Sequence, residues 1–106
     1  MNRWTVKDRQ NREVYMTRER WEHIITKHSE LRGRREEVLR TVREGKRRQT
    51  KRDPQTYCYQ MKSQNLPKPY NKILVFVAFR YQHGEEPSEN NFVTTAWGEV
   101  ASISYK

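Results

Sequence analysis

KILVFVAFRY, Lys72 to Tyr81, is the stretch on which the fold turns. Seven consecutive apolar residues run from Ile73 to Phe79, dominated by β-branched and aromatic side chains. Such a run is far too short to span a bilayer. It fits a strand buried on both faces, and so predicts the central strand of a sheet. On its N-terminal side, NLPKPYN (Asn65 to Asn71) reads as a loop held open by two prolines. Before that loop, QTYCYQMK (Gln55 to Lys62) alternates. Tyr57, Tyr59 and Met61 fall on one side and Cys58, Gln60 and Lys62 on the other, as in a half-buried strand. On the C-terminal side, QHGEEPSEN (Gln82 to Asn90) reads as a polar, acidic loop carrying His83. NFVTTAW (Asn91 to Trp97) is a further strand, and VASISYK a last strand or a tail.

The first half of the chain has a different period. Thr17 is a natural helix N-cap, and Arg18 to Leu31 carries a helical stripe of Trp21, Ile24, Ile25 and Leu31. Gly33 breaks it. A second helix, Arg34 to Glu44, puts Val38, Leu39 and Val42 on one face, and Gly45 ends it. Ahead of both, Trp4–Asp8 and Arg12–Thr17 are expected to form a short hairpin around Arg9 to Asn11. The expectation is one α+β domain over residues 1–106, with two N-terminal helices packed on an antiparallel meander of about four strands.

Charge narrows the function. The chain holds 22 Lys and Arg against 13 Asp and Glu, a net of +9. Residues 1–52 hold 17 basic against 8 acidic residues, whereas residues 53–106 hold five of each. The whole excess therefore lies in the first half, densest in GKRRQTKR (Gly45 to Arg52). A field of one sign draws polyanions. Nucleic acid is the first candidate partner, through counterion release. A ribosome, an anionic membrane surface or an acidic protein fits the charge equally well, and a solvated basic face is the plain alternative. A single cysteine, Cys58, excludes an internal disulfide. The polar start MNRWTVKDRQ does not read as a signal peptide, so the expected setting is cytoplasmic, with no membrane partner. A domain cut from a longer toxin would read the same way.

Two histidines, His23 and His28, lie in WEHIITKHSEL (Trp21 to Leu31). Five residues apart on a helix, they point about 140° away from each other and do not converge on one metal. With one cysteine and no HExxH spacing, no metal site and no cofactor are expected. His28 falls within the apolar stripe, whereas His23 points away with Lys27 and Glu30. From position alone, His28 reads as a core histidine bonded to a neighbouring strand. Its company supports a second reading. Arg80 ends the central strand, where an unpaired charge is costly. Thr94 and Thr95 lie on the last clear strand. Histidine, a cation, tyrosine and threonine are the groups needed for RNA cleavage without a metal. One group takes the proton of the ribose 2′-OH, another protonates the leaving 5′-oxygen, and a cation holds the charged phosphorane. On this reading His28 is an acid or base, Arg80 stabilises the phosphorane, and Thr95 positions phosphate or histidine. Lys46, Arg47, Arg48, Lys51, Arg52 and Lys62 hold the RNA backbone, with Tyr57 or Tyr59 as a stacking platform. A non-catalytic RNA-, DNA- or ribosome-binding module would use the same basic run and need no histidine.

The order of motifs resembles the barnase–EndoU–colicin–RelE superfamily of small RNases. RWEHIITKHSEL, REEVLRTVRE, TKRDPQ, KILVFVAFRY and FVTTAW together resemble its phage-type branch over about residues 12–98. The resemblance implies a toxin-type endoribonuclease that needs no metal and is neutralised by a partner, an acidic antitoxin or immunity protein. It implies that His28 matches the helix histidine, Arg80 a basic residue at the end of the central strand, and Thr95 a hydroxyl of the last strand. His28-Ser29-Glu30 departs from the His-Pro-Glu usual at that place, and the Lys46–Arg52 run has no counterpart in the chemistry. RelE-like relatives cut messenger RNA on the ribosome, so mRNA, tRNA and rRNA all stay open as substrates.

Overall fold

The computed structural model describes residues 2–82 and 88–101. His83, the centre of the predicted acidic loop and residues 102–106 lie outside these described residues. Strands β1 (Arg3–Lys7) and β2 (Glu13–Thr17) form an antiparallel hairpin. Its turn is built by Asp8, whose carboxylate accepts the backbone N–H groups of Gln10 and Arg12, each at 2.9 Å. Asn11 takes the left-handed conformation there (φ 65°), which asparagine tolerates better than most residues.

Helix α1 (Arg18–Lys27) starts where Thr17 caps it, the hydroxyl accepting the Arg20 N–H at 3.0 Å. It stops earlier than its apolar stripe suggested. His28 leaves the helical conformation (φ −127°, ψ 73°), and Ser29–Leu31 form one 3-10 turn that still buries Leu31. Helix α2 (Arg35–Glu44) buries Val38, Leu39, Thr41 and Val42. At Gly45 a Cβ would stand 2.3 Å from the Thr41 carbonyl and 2.7 Å from that of Gln60, so only glycine lets the chain turn here into the sheet.

Four strands follow: β3 (Lys46–Gln49), β4 (Thr56–Lys62), β5 (Lys72–Gln82) and β6 (Ser88–Glu99). The sheet is larger than predicted and differently ordered. It has six strands in the order β1-β2-β6-β5-β4-β3, and it is mixed, because β2 runs parallel to β6 through Tyr15 and Phe92. The expected antiparallel meander of about four strands is therefore corrected on two counts.

The first is the hairpin. A two-stranded ribbon alone is marginal in water. Val14 and Met16 become fully buried only because the hairpin joins the sheet. Side chains secure that junction: Tyr15 Oη donates to Asn90 Oδ1 at 3.0 Å, and Asn91 Nδ2 donates to the Glu13 carbonyl at 3.0 Å. The second is β3. KRRQ has no apolar alternation and reads as coil, yet its backbone pairs along β4 from Lys46↔Gln60 to Gln49↔Tyr57. Charged side chains are a common device on edge strands, where they discourage pairing with another copy.

The two faces of the sheet have different fates. Ile73, Val75 and Val77 of β5 share one buried cluster with Trp21 and Ile24 of α1, Val38 and Val42 of α2, and Val14 and Met16 of the hairpin. Tyr59 belongs to it too, and its hydroxyl donates to Asp8 Oδ2 at 2.6 Å, clipping the hairpin turn onto β4. The alternate residues of β5, Leu74, Phe76 and Ala78, face the other way, and the buried Leu74 and Ala78 lie outside that cluster.

Candidate functional site

The face turned away from the helices can be read from the strand registers. Thr95, Phe76, Cys58 and Arg48 lie in one row across β6, β5, β4 and β3. Trp97, Leu74, Gln60 and Lys46 form the next row, and Glu99, Lys72 and Lys62 the one after. In the other direction, Tyr15, Phe92, Ala78 and Thr56 form a row that begins on β2. A bulge at Thr94 interrupts β6, and the Thr94 hydroxyl donates to the Phe76 carbonyl at 3.2 Å. Bulges re-aim the side chains that follow them.

His28 sits at the edge of this face. Because α1 ends at that residue, the ring does not continue the buried stripe as the helical spacing predicted. It lies against Trp97 instead, with ring centroids 5.8 Å apart, and Trp97 in turn lies 4.6 Å from Phe76. Nδ1 of His28 is 3.9 Å from Glu30 Oε2. That same carboxylate oxygen accepts the Gly98 N–H at 2.7 Å, which fixes Glu30 on the strand beside the histidine. Gly98 makes room for it: a Cβ there would stand 2.8 Å from Glu30 Cγ and 3.4 Å from Tyr70 Cδ1. The His28 side chain keeps 31% of its exposure, so it is held yet reachable from solvent. Among the described residues its Nε2 has no hydrogen-bond partner.

Of the three residues expected to act in catalysis, the structure brings two to this end of the sheet. Thr95 is two residues from Trp97 along β6, in the row of Phe76. Arg80 is elsewhere. It lies four residues beyond Phe76 along β5, about 13 Å at the rise of a strand. Its guanidinium is 3.4 Å from Asp53 Oδ2 and also donates to the Phe79 carbonyl at 3.3 Å. Asp53 in turn organises the β3–β4 turn, accepting the Gln55 N–H and the Thr56 hydroxyl. These bonds, with Arg80 beside it, hold the Asp53 carboxyl below its ordinary range. In this arrangement Arg80 is tied to a turn, and no contact joins it to His28.

The expected RNA-binding residues divide between the faces. Lys46 and Arg48 alternate onto the helix-free face, and Lys62 lies opposite Lys72 at its end. Arg48 and Lys72 are close enough to Cys58 to act on its thiol, although burial is the stronger influence and pushes that thiol up. Lys51 and Arg52 are exposed in the turn. Arg47 faces the helix side and lies 3.9 Å over the ring of Tyr57, which meets Phe79 edge-on at 5.2 Å. Tyr59 is 1% exposed. Neither tyrosine expected to stack bases reaches the helix-free face.

The rings that do stand there are Tyr15, Phe76, Phe92 and Trp97, all half-buried. Sequence reading missed them because Leu74, Phe76 and Ala78 sit in an apolar run that implied burial on both faces. The available signal was size: the inward set of β5 is aliphatic, while the outward set carries an aromatic ring. A groove of about 470 Å³ adjoins this side, lined by Arg9, Lys46, Lys62 and Lys72 together with Glu44, Gln60 and Met61.

Among the described residues no three His, Cys, Asp or Glu side chains are grouped so as to hold a metal ion, and no helix is long and apolar enough to cross a membrane. Comparison with family models, curated proteins and solved structures finds no match for this chain.

Proposed function

We propose that this protein is a small, metal-independent endoribonuclease of toxin type, acting at the His28 end of the helix-free face. One observation carries the reading. A part-exposed histidine lies 3.9 Å from a carboxylate and packs on an aromatic ring, at the edge of a face whose far strand carries Lys46 and Arg48. His28 takes the proton of a ribose 2′-OH. The 2′-oxygen attacks phosphorus, the bond to the 5′-oxygen breaks, that oxygen takes a proton from solvent water, and the protonated His28 returns its proton to solvent. The products are a 2′,3′-cyclic phosphate and a 5′-hydroxyl. Glu30 is a positioning residue that orients the imidazole, and Thr95 offers its hydroxyl to the phosphate. Arg48 and Lys72 hold the backbone on either side, and Arg80 contacts a more distant part of the strand. The motif order shared with the barnase–EndoU–colicin–RelE superfamily supports the same chemistry. An acidic antitoxin or immunity protein is the proposed partner, and the cytoplasm, where the lone Cys58 stays reduced, is the proposed setting.

A second reading follows from the position of Arg80. With that cation about 13 Å along β5 from Phe76, the face suits a non-catalytic RNA- or ribosome-binding module that uses the rings and cations alone. His28→Ala separates the two. The nuclease reading expects RNA binding within a few-fold of wild type, and cleavage reduced by about 10²-fold or more. Full cleavage by a folded His28→Ala protein removes His28 from the chemistry.

A further inference from the structure

We infer that the helix-free face is a track for unpaired RNA, running across the strands from Tyr15 on β2 to Arg48 and Lys46 on β3, and that it selects single strands over duplex. The inference rests on the proposed action on RNA and adds the form of RNA that is read. Three observations support it. First, the face is aromatic where, among the described residues, no helix covers it. His28, Trp97 and Phe76 are in successive ring contact, and Tyr15 and Phe92 form a second pair 6.0 Å apart on the neighbouring strands.

Second, the flank beyond the rings is cationic. Lys46 and Arg48 of β3 turn to this face in the same rows as Trp97 and Phe76, and Lys62 and Lys72 close the adjacent row. Acidic side chains stand at the margins of the face: Glu30 beside His28, Asp53 paired with Arg80, Glu13 on β2 and Glu99 in the row of Lys72. Arg3 stands 4.4 Å over Tyr15 and brings a further positive charge to the far side. Third, the geometry suits splayed bases. The overlapping rows together cross five adjacent strands, β2 to β3, a width of about 19 Å at the ordinary strand spacing. Rings at this spacing receive exposed base faces, whereas a duplex hides those faces and offers only backbone and groove edges. An acidic protein would match the cations as well, and the test separates it from RNA.

The test uses the full chain with an oligouridylate of about twelve nucleotides, chosen to exceed one stacking platform, free or annealed to its oligoadenylate complement. Binding is read by fluorescence anisotropy, and cleavage is followed on the same strands. The variants are Tyr15→Leu and Phe92→Leu, which keep apolar volume and remove the ring, with circular dichroism melting to check folding. The expected result is tighter binding of the free strand than of the duplex. Each ring removal should weaken the free strand by about 5- to 100-fold and leave the duplex unchanged. Duplex bound as tightly as the single strand, or ring variants without effect in folded protein, overturns the track, even where His28-dependent cleavage stands. Ring-dependent binding with no cleavage by wild type keeps the track and removes the nuclease reading. No binding of either form at low salt, with binding of poly-glutamate instead, removes both.

Discussion

At the scale of single residues, the carboxylates do the positioning. Asp8 shows how. Burial alone would raise its pKa, but the Tyr59 hydroxyl, two backbone N–H groups and the Arg12 guanidinium outweigh that and hold it below 3.8. A group depressed on folding contributes stability above its unfolded pKa and loses it as pH falls through the folded value. The protein should therefore lose stability below about pH 4, and Asp8→Asn should flatten that part of the profile, as measured by urea unfolding against pH. Tyr59 is the other half of the clip, its phenol pushed upward first by burial and then by Asp8. Tyr59→Phe should cost about 1.5–3 kcal/mol, the range for a hydrogen bond to a charged group. A midpoint unchanged in urea would mean that the clip contributes nothing. Glu30→Gln tests positioning at the site. It keeps the acceptor for the Gly98 N–H and removes the charge facing His28. Cleavage should fall while the melting temperature stays near wild type.

Elements explain what the sequence could and could not convey. Helix α2 was legible because Val38, Leu39 and Val42 recur at helical spacing and glycine bounds the end. The N-cap at Thr17 was legible for the same kind of local reason. β3 was not, because an edge strand is held by backbone pairing and KRRQ carries no trace of it. The early end of α1 was hidden as well: Leu31 is buried either way, and only the His28 backbone tells helix from 3-10 turn. That one-residue change carries the imidazole from the core to the sheet edge. Glycines hold these junctions. Gly45→Ala would drive a Cβ into two backbone carbonyls that cannot swing aside, so it should destabilise strongly and detach β3 from α2. Gly98→Ala meets the flexible Glu30 side chain instead. It should leave the fold largely intact, displace Glu30, and lower cleavage much as Glu30→Gln does. Thermal melting and cleavage measured on both variants would separate the two effects.

For the whole molecule, the charge asymmetry of the sequence takes on a shape. The basic first half supplies β3 and the hairpin turn, and these gather Arg9, Lys46 and Arg48 beside Lys62 and Lys72 from the neutral second half. The sequence could show that the excess was there, but not that the strands would sort Arg47 to one face and Arg48 to the other. Neutralising Lys46, Arg48, Lys62 and Lys72 to glutamine should weaken RNA binding across sequences and flatten its salt dependence. The slope should fall by nearly one log unit for each phosphate that no longer meets a cation, or somewhat less on single strands. A salt slope equal to that of wild type would place the binding surface elsewhere. The architecture also separates stability from chemistry. The main core lies between the helices and one face of the sheet, so Ile73→Ala should cost about 2–5 kcal/mol, while changes to exposed cations of the opposite face such as Lys46 and Arg48 should mainly alter function. The claim at the centre, that His28 initiates RNA cleavage from that face, is tested most directly by the ends of the products. Total cellular RNA would be incubated with wild type and with His28→Ala in EDTA, and the new termini identified by mass spectrometry. Wild type should leave 2′,3′-cyclic phosphates and 5′-hydroxyls, and the folded variant no new ends. Ends carrying 5′-phosphate, or identical cuts by both proteins, would contradict that claim.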